Sequence, residues 1–351
     1  MKKILLYFLL ILPVVLQAQI PDGYYNAAQG KTGAALKTAL FNIIHTHTER
    51  TYTELWTDFQ STDKKANGKV WDIYSDVPGG TPAYEYTFIS DQCGNYSGEG
   101  SCYNREHSFP KSWFNDAEPM YTDLFHIYPT DGYVNGKRGN YPYGEVTSPS
   151  WTSTNGSKLG PSATTGYTGT VFEPIDEYKG DLARTYFYMV TCYENVVTQW
   201  NSDVLSGDTY PAFSQWTLTL LLKWNDEDPV SQKEIDRNNA IYNIQHNRNP
   251  YIDHPEYVDE VWGSASAVHN NQELSVSAYP NPAHRTIHVQ NGLLHSASYT
   301  LYNQMGQVVS RGKLDNGTNG IDISNFTKGL LLLRISDPQS HRTKQYKILK
   351  M

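Results

Sequence analysis

Apolar residues recur three and four apart through "KTGAALKTALFNIIHTHTER", which predicts one helix ending at about Ile44. The same spacing returns in "IDEYKGDLARTYFYMVTCYENVVTQW" and in "FSQWTLTLLLKWNDEDPVSQKEIDRNNAIYNIQ". Both stretches are expected as core helices, the second broken after Asp228 because Pro229 has no N–H and its ring clashes with the preceding turn. From Tyr84 to Phe172 the period is lost and Gly, Pro, Asn, Asp and Tyr crowd together, so short strands and long loops are expected there. Function is disproportionately carried by such loops. After a small, polar stretch around "GSASAVHNNQELS", the pattern changes to two-residue alternation in "RTIHVQNG", "SYTLYNQMGQVV" and "RTKQYKILKM", interrupted by Gly and Asn turns. That is the signature of a small all-β sandwich. The fold class is therefore α+β, followed by a separate β module.

The first residues, "MKKILLYFLLILPVVLQAQ", place two lysines before an apolar run and a small residue, the pattern of a secretory signal peptide cleaved near Ala18. The predicted organisation is a leader over 1–18, a body over 19–262, a linker over 263–278 and a terminal module over 279–351. No other segment is apolar enough to cross a membrane, so an exported chain with no membrane span after processing is expected.

Charge follows the same division. Residues 279–351 hold nine Lys/Arg against three Asp/Glu, a net +6, and the leader adds two. The total of −8 then leaves −16 for residues 19–278. Three cysteines are too few for a disulfide scaffold. Cys93 and Cys102 bracket the flexible "GNYSGEG" and either bridge or stay free, while Cys192 sits in an apolar run as a small buried hydrophobe. Structural zinc is not expected, since no CxxC or Cys/His ligand set occurs. His45 and His47, just past the first helix, are read as surface or capping residues.

Candidate chemistry lies in "SCYNREHSFPKSWF" and "YTDLFHIYPTDGYVNGKRGNYPYGEV". Asp131 or Thr130 can cap a short helical turn over Val134 to Arg138, with Gly139 as its stop signal. Asn135 and Arg138 then share a face, opposite a segment offering Glu106 and His107. These groups suit phosphodiester hydrolysis. Glu106 and Asn135 supply the one or two protein oxygens that Mg²⁺ takes, and His107 can deprotonate water. Arg138 or Arg105 would hold a phosphate, with Lys111 and Lys137 as further substrate contacts. Neighbours on a strand point to opposite faces, so Glu106 and His107 can serve one site only at a bend or a strand's end, which Pro110 favours. Taken alone, the Arg-Glu-His triplet fits a surface ion-pair patch with a loop histidine better than it fits a site.

"CYNREHSFPKSWF", "DLFHIYPTDGYVNGKRGNYPYGEV" and "LLLKWNDEDPVSQKEIDRNNAIYNIQHNRNPYIDHPEYVDEVW" resemble the bacterial endonuclease I family of secreted and periplasmic nucleases, over roughly residues 33–262. The resemblance implies a ββα-metal (His-Me finger) site in a mixed α+β fold and sequence-nonspecific cleavage of DNA, with RNA as a second substrate. It implies His107 as general base, Glu106 and Asn135 as Mg²⁺ ligands, with Mn²⁺ or Ca²⁺ as alternative ions, and Arg138 as a phosphate contact. Tyr121 stands where some members have an acidic residue, so Asp123 or a backbone carbonyl would orient His107. His126 is either a structural histidine donating to backbone or a second orienting group. "YPNPAHRTIHV", "LYNQMGQVV", "TKGLLLLRI" and "KILK" resemble the C-terminal sorting domain of the type IX secretion system, with Leu331 at a position usually aromatic. That implies contact with the secretion machinery and delivery outside the cell or to its surface by way of the periplasm.

The acidity of the body weighs the other way, because phosphate neutralisation is the usual source of nucleic-acid affinity. A Tyr- and Trp-rich exported adhesin or glycan-binding protein is the alternative, and it assigns no role to Glu106, His107 or Asn135. A metalloprotease fits worse, since no HExxH is present.

Overall fold

The computed structural model describes residues 20–267, 274, 276–292, 296–304, 308–337 and 343–351; the leader predicted over 1–18 lies outside them. The chain forms two compact units, divided between residues 266 and 267.

In the first unit, helix α1 (Gly33–Ile44) ends where its apolar period ends, and His45 closes it by donating from Nδ1 to the Phe41 carbonyl at 2.9 Å. A short helix α2 (Leu55–Thr62), not anticipated from the sequence, buries Leu55 and Phe59. Strands β1 (Tyr103–His107) and β2 (Ile127–Asp131) pair antiparallel, from Tyr103 opposite Asp131 to His107 opposite Ile127. Helix α3 (Gly132–Arg138) follows β2 without a loop. The disulfide between Cys93 and Cys102, with Cα atoms 5.6 Å apart, ties down the loop that enters β1. A second small sheet holds β3 (Trp151–Thr152), β4 (Lys158–Pro161) and β5 (Thr170–Glu173).

Helix α4 (Lys179–Cys192) has all fourteen residues buried, including the free Cys192. A helix this enclosed must neutralise its own polar groups. Arg184 grips Glu234 through two bonds of 2.5 and 2.8 Å, and Asp181 pairs with Lys233 at 2.9 Å. Their partners lie on α6 (Gln232–Gln245), which follows α5 (Gln215–Glu227) after the expected break at Asp228 and Pro229. Ser231 and Glu234 start α6 with a reciprocal capping box. Arg237, also on α6, reaches Asp63 and the carbonyls of Leu124 and Ile127, which fixes the entry to β2.

Helices α7 (Pro250–Asp253) and α8 (Glu256–Ala267) complete the unit. Helix α8 extends into the stretch expected as a linker over 263–278. Val258, Val261 and Trp262 anchor α8 in the core, so the helix runs on through the small residues to Ala267, and strand β6 (Val276–Tyr279) begins the second unit.

The second unit is all β. One sheet orders β10 (Gly317–Asp322), β7 (Thr286–Asn291) and β6; the other orders β12 (Thr343–Lys350), β11 (Gly329–Ser336), β8 (Ala297–Tyr302) and β9 (Val308–Leu314). Alternate residues of both sheets, among them Ile287, Val289, Leu301, Leu333 and Ile335, share one core, which makes the unit a sandwich. Leu331, where an aromatic was expected, is buried in that core.

Candidate active site

Strand alternation sorts the side chains of β1 onto two faces. Asn104 and Glu106 meet α3, while Arg105 and His107 meet a cluster of tyrosines.

On the α3 face, Asp131 caps the helix: its Oδ1 accepts the N–H groups of Tyr133 and Val134 at 2.7 and 2.8 Å. Its Oδ2 accepts from the Tyr86 hydroxyl and the Gly100 N–H. Gly139, at φ 55, ends the helix in the left-handed region that glycine tolerates. Asn135, expected on the face of α3 toward β1 as a ligand, donates from Nδ2 to Asn104 Oδ1 at 2.7 Å. That bond fixes the amide and leaves the Asn135 Oδ1 lone pairs for another partner. Glu106 is 2% exposed, and its Oε1 accepts from the Tyr74 hydroxyl and from Arg138 Nη1, both at 2.9 Å. Burial raises the Glu106 pKa, and Arg138 opposes the rise. Its second oxygen, Oε2, takes neither bond.

Arg138 was expected to hold a phosphate, and the structure corrects this. The guanidinium is 1% exposed and spends its donors inward: Nη1 also reaches the His107 carbonyl at 2.9 Å, and Nη2 reaches the Ser108 carbonyl at 2.5 Å. Its carbon lies 4.5 Å from the Tyr143 ring centre. Burial alone would lower its pKa, yet Tyr143 and Glu106 hold it above the ordinary arginine value. Arg138 therefore braces the chain through Glu106, His107 and Ser108 where the strand ends.

On the opposite face, His107 donates from Nε2 to the Tyr121 carbonyl at 3.0 Å. Its proton is thereby placed on Nε2, and Nδ1 keeps its lone pair. The ring lies nearly parallel to Tyr121 (5.2 Å, 23°) and to Tyr52 (6.1 Å, 22°). Burial, then the nearby His126, lowers the His107 pKa to about 3. Asp123 does not orient this ring, contrary to one expectation. Its carboxylate is taken by the Phe125 N–H, Gln245, and the hydroxyls of Tyr188 and Tyr193. His126 donates to the Met120 carbonyl at 2.6 Å, a structural role, with its ring 5.4 Å from His107. His47 is not a surface residue either: its side chain is 2% exposed, and Nε2 stands 4.0 Å from Asp123. With Cys192 these two form a cluster of metal-ligating side chains, but Asp123 is already satisfied by the four donors named.

The remaining cations flank the centre. Arg105 is half-buried, donates to the Tyr52 carbonyl at 2.6 Å, and stacks 3.4 Å from the Tyr52 ring and 4.2 Å from Trp56. Lys111 pairs with Asp116 and lies 5.2 Å from the Tyr121 ring. Lys137 stands over Tyr133 (5.2 Å) and Trp151 (6.0 Å).

Sequence reasoning missed Tyr74 and Asn104 as partners of the candidate residues, while the backbone carbonyl it allowed for His107 is that of Tyr121. Asn104 carried a signal, since it lies two positions before Glu106 on the same strand. Tyr74 carried none, being thirty-two positions away in the chain. A carboxylate oxygen and a fixed amide oxygen are hard donors that fit a small divalent cation keeping most of its waters.

Glu106, His107 and Arg138 meet where β1 ends in an α+β body, and comparison with known proteins gives the chain a family. Residues 32–256 match the family model described as Endonuclease I, and residues 277–350 match the secretion system C-terminal sorting domain. The extracellular ribonuclease of Bacillus amyloliquefaciens is 37% identical over 257 residues, covering 69% of this chain and 78% of that protein. An extracellular ribonuclease of Bacillus subtilis is 35% identical over the same shares of the two chains. Endonuclease-1 of Buchnera aphidicola subsp. Baizongia pistaciae is 28% identical, over 49% of this chain and 58% of its own. The chain is a secreted nuclease, a phosphodiester hydrolase carrying a type IX sorting module. It belongs to the Endonuclease I family. Among the described residues, no helix is long and apolar enough to cross a membrane.

Proposed function

We propose that the chain hydrolyses DNA and RNA without sequence preference, with His107 as general base and Glu106 and Asn135 as ligands of one Mg²⁺, in a ββα-metal centre formed by β1, β2 and α3. The observation that carries this reading is the bond from His107 Nε2 to the Tyr121 carbonyl, which leaves the Nδ1 lone pair as the ring's one place to accept a proton. His107 Nδ1 takes a proton from water as the water oxygen attacks phosphorus in line. The bond from phosphorus to the leaving sugar oxygen breaks, and that oxygen takes a proton from solvent. Mg²⁺, when bound, supplies charge stabilisation to the phosphate and to the leaving oxygen.

On this reading Glu106 and His107, which alternate to opposite faces of β1, serve one phosphate from the strand's end at His107. Arg138 holds that end by gripping the Glu106 carboxylate and the next two carbonyls together. The ribonuclease names of the two Bacillus relatives support including RNA. The test is cleavage of plasmid DNA and of a long RNA by the chain from residue 19, with Mg²⁺ and with EDTA. Both substrates should be cut with Mg²⁺ and spared in EDTA; cutting that persists in EDTA removes the metal from the mechanism.

A further inference from the structure

The acidic body poses a problem of recognition. A duplex presents one negative charge per roughly 1.7 Å of axis and hides its bases, so it is bound chiefly through phosphates. The first unit lacks the excess of cations which that mode needs, at −16 over residues 19–278. The cations flanking the centre are instead paired with aromatic rings.

On one side, Lys137 covers Tyr133 and Trp151, whose ring centres are 6.3 Å apart. Tyr96, 40% exposed, packs edge-on to Tyr133 at 6.2 Å and lies on the glycine face of α3, where a Cβ on Gly132 would sit 2.7 Å from its ring. On the other side, Tyr52 and Tyr121 stack at 4.8 Å beside His107, with Arg105 and Lys111 against them. Among the described residues of the first unit, the exposed large apolar side chains are Ile89, Tyr96 and Tyr141, and the two tyrosines flank α3. Partly exposed rings beside cations, set on both sides of a cleavage centre, are the groups that single-strand recognition uses.

We propose that the site takes single-stranded nucleic acid, DNA or RNA, with unpaired bases stacked on the Tyr133 and Trp151 side and on the Tyr52 and Tyr121 side of His107. This rests on the nuclease reading for its location, but stacking needs neither the metal nor the base. Stacking on an aromatic ring contributes roughly 5- to 150-fold in affinity per base, independent of sequence. An acidic protein can use that term without a basic groove.

The experiment is fluorescence anisotropy with the chain from residue 19, in EDTA so that no cleavage occurs. The probes are a labelled single-stranded DNA, a single-stranded RNA of the same sequence, and the DNA duplex. Both single strands should bind at least tenfold more tightly than the duplex. Trp151→Ala and Tyr52→Ala should each lose about tenfold for single strands, while Trp151→Phe and Tyr52→Phe, which keep a ring, stay within about threefold of wild type. A difference between the DNA and RNA strands would assign the remaining contacts to the 2′-hydroxyl and leaves stacking supported. Duplex binding equal to or tighter than single-strand binding overturns the proposal, as do alanine variants that bind single strands like wild type. A protein that binds single strands in EDTA but cuts nothing in Mg²⁺ would sink the catalytic assignment while supporting this one.

Discussion

The two nitrogens of His107 are made unequal by one bond. With Nε2 committed to the Tyr121 carbonyl, the side chain has a single place to accept a proton, and burial keeps that place empty down to low pH. Linkage gives this a measurable sign. The folded pKa, about 3, lies below the ordinary 6.5, so between these values the unfolded chain binds more protons than the folded one. Stability from this group is therefore present above pH 6.5 and lost as pH falls toward 3. In EDTA, His107→Gln, which can still donate to the carbonyl, should flatten the rise of urea stability between pH 4.5 and 7; an unchanged slope would mean that His107 is not held neutral. The residue types of this centre were legible in the sequence. Which face each took was legible only as a difficulty, because alternation separates Glu106 from His107 and nothing local shows where the strand stops.

At the scale of elements, the end of β1 and helix α3 were readable from their punctuation: Asp131 before the turn, Gly139 after it, and Pro110 beyond the strand. Helices α1, α4, α5 and α6 were readable from period and from Pro229. Helix α2 was not, since its eight residues are too few to establish a period, and α8 outran its apolar pattern because Trp262 anchors it. Arg138 was misassigned for a related reason. Its i, i+3 spacing with Asn135 gives a shared side of the helix but not the depth of burial. As a buried brace rather than a phosphate ligand, Arg138→Met should destabilise the first unit by roughly 3–5 kcal/mol, because Glu106 and the carbonyls of His107 and Ser108 lose their donor. Denaturant unfolding checks this. Wild-type stability combined with a weakened salt dependence of nucleic-acid binding would instead return Arg138 to the substrate surface.

For the whole molecule, two units with separate cores match two tasks, cleavage and address. The second unit is legible in the chain's own pattern, because both the hydrophobic period and the sign of the charge change where the body ends. Deleting residues 277–351 should leave the purified enzyme within about twofold of full-length activity but hold it in the periplasm of its host, as fractionation would show. A purified truncated protein that has lost activity would make the sandwich part of the catalytic fold.

The most direct test of the centre itself is a single-turnover rate for His107→Ala against wild type at saturating Mg²⁺, on a single-stranded substrate whose binding is measured in parallel. With a general base contributing about 10²–10⁴-fold, the variant should lose that much rate while its affinity stays within a few-fold of wild type. A variant that cuts within a few-fold of the wild-type rate would show that His107 is not the base and that the chemistry lies elsewhere on the molecule.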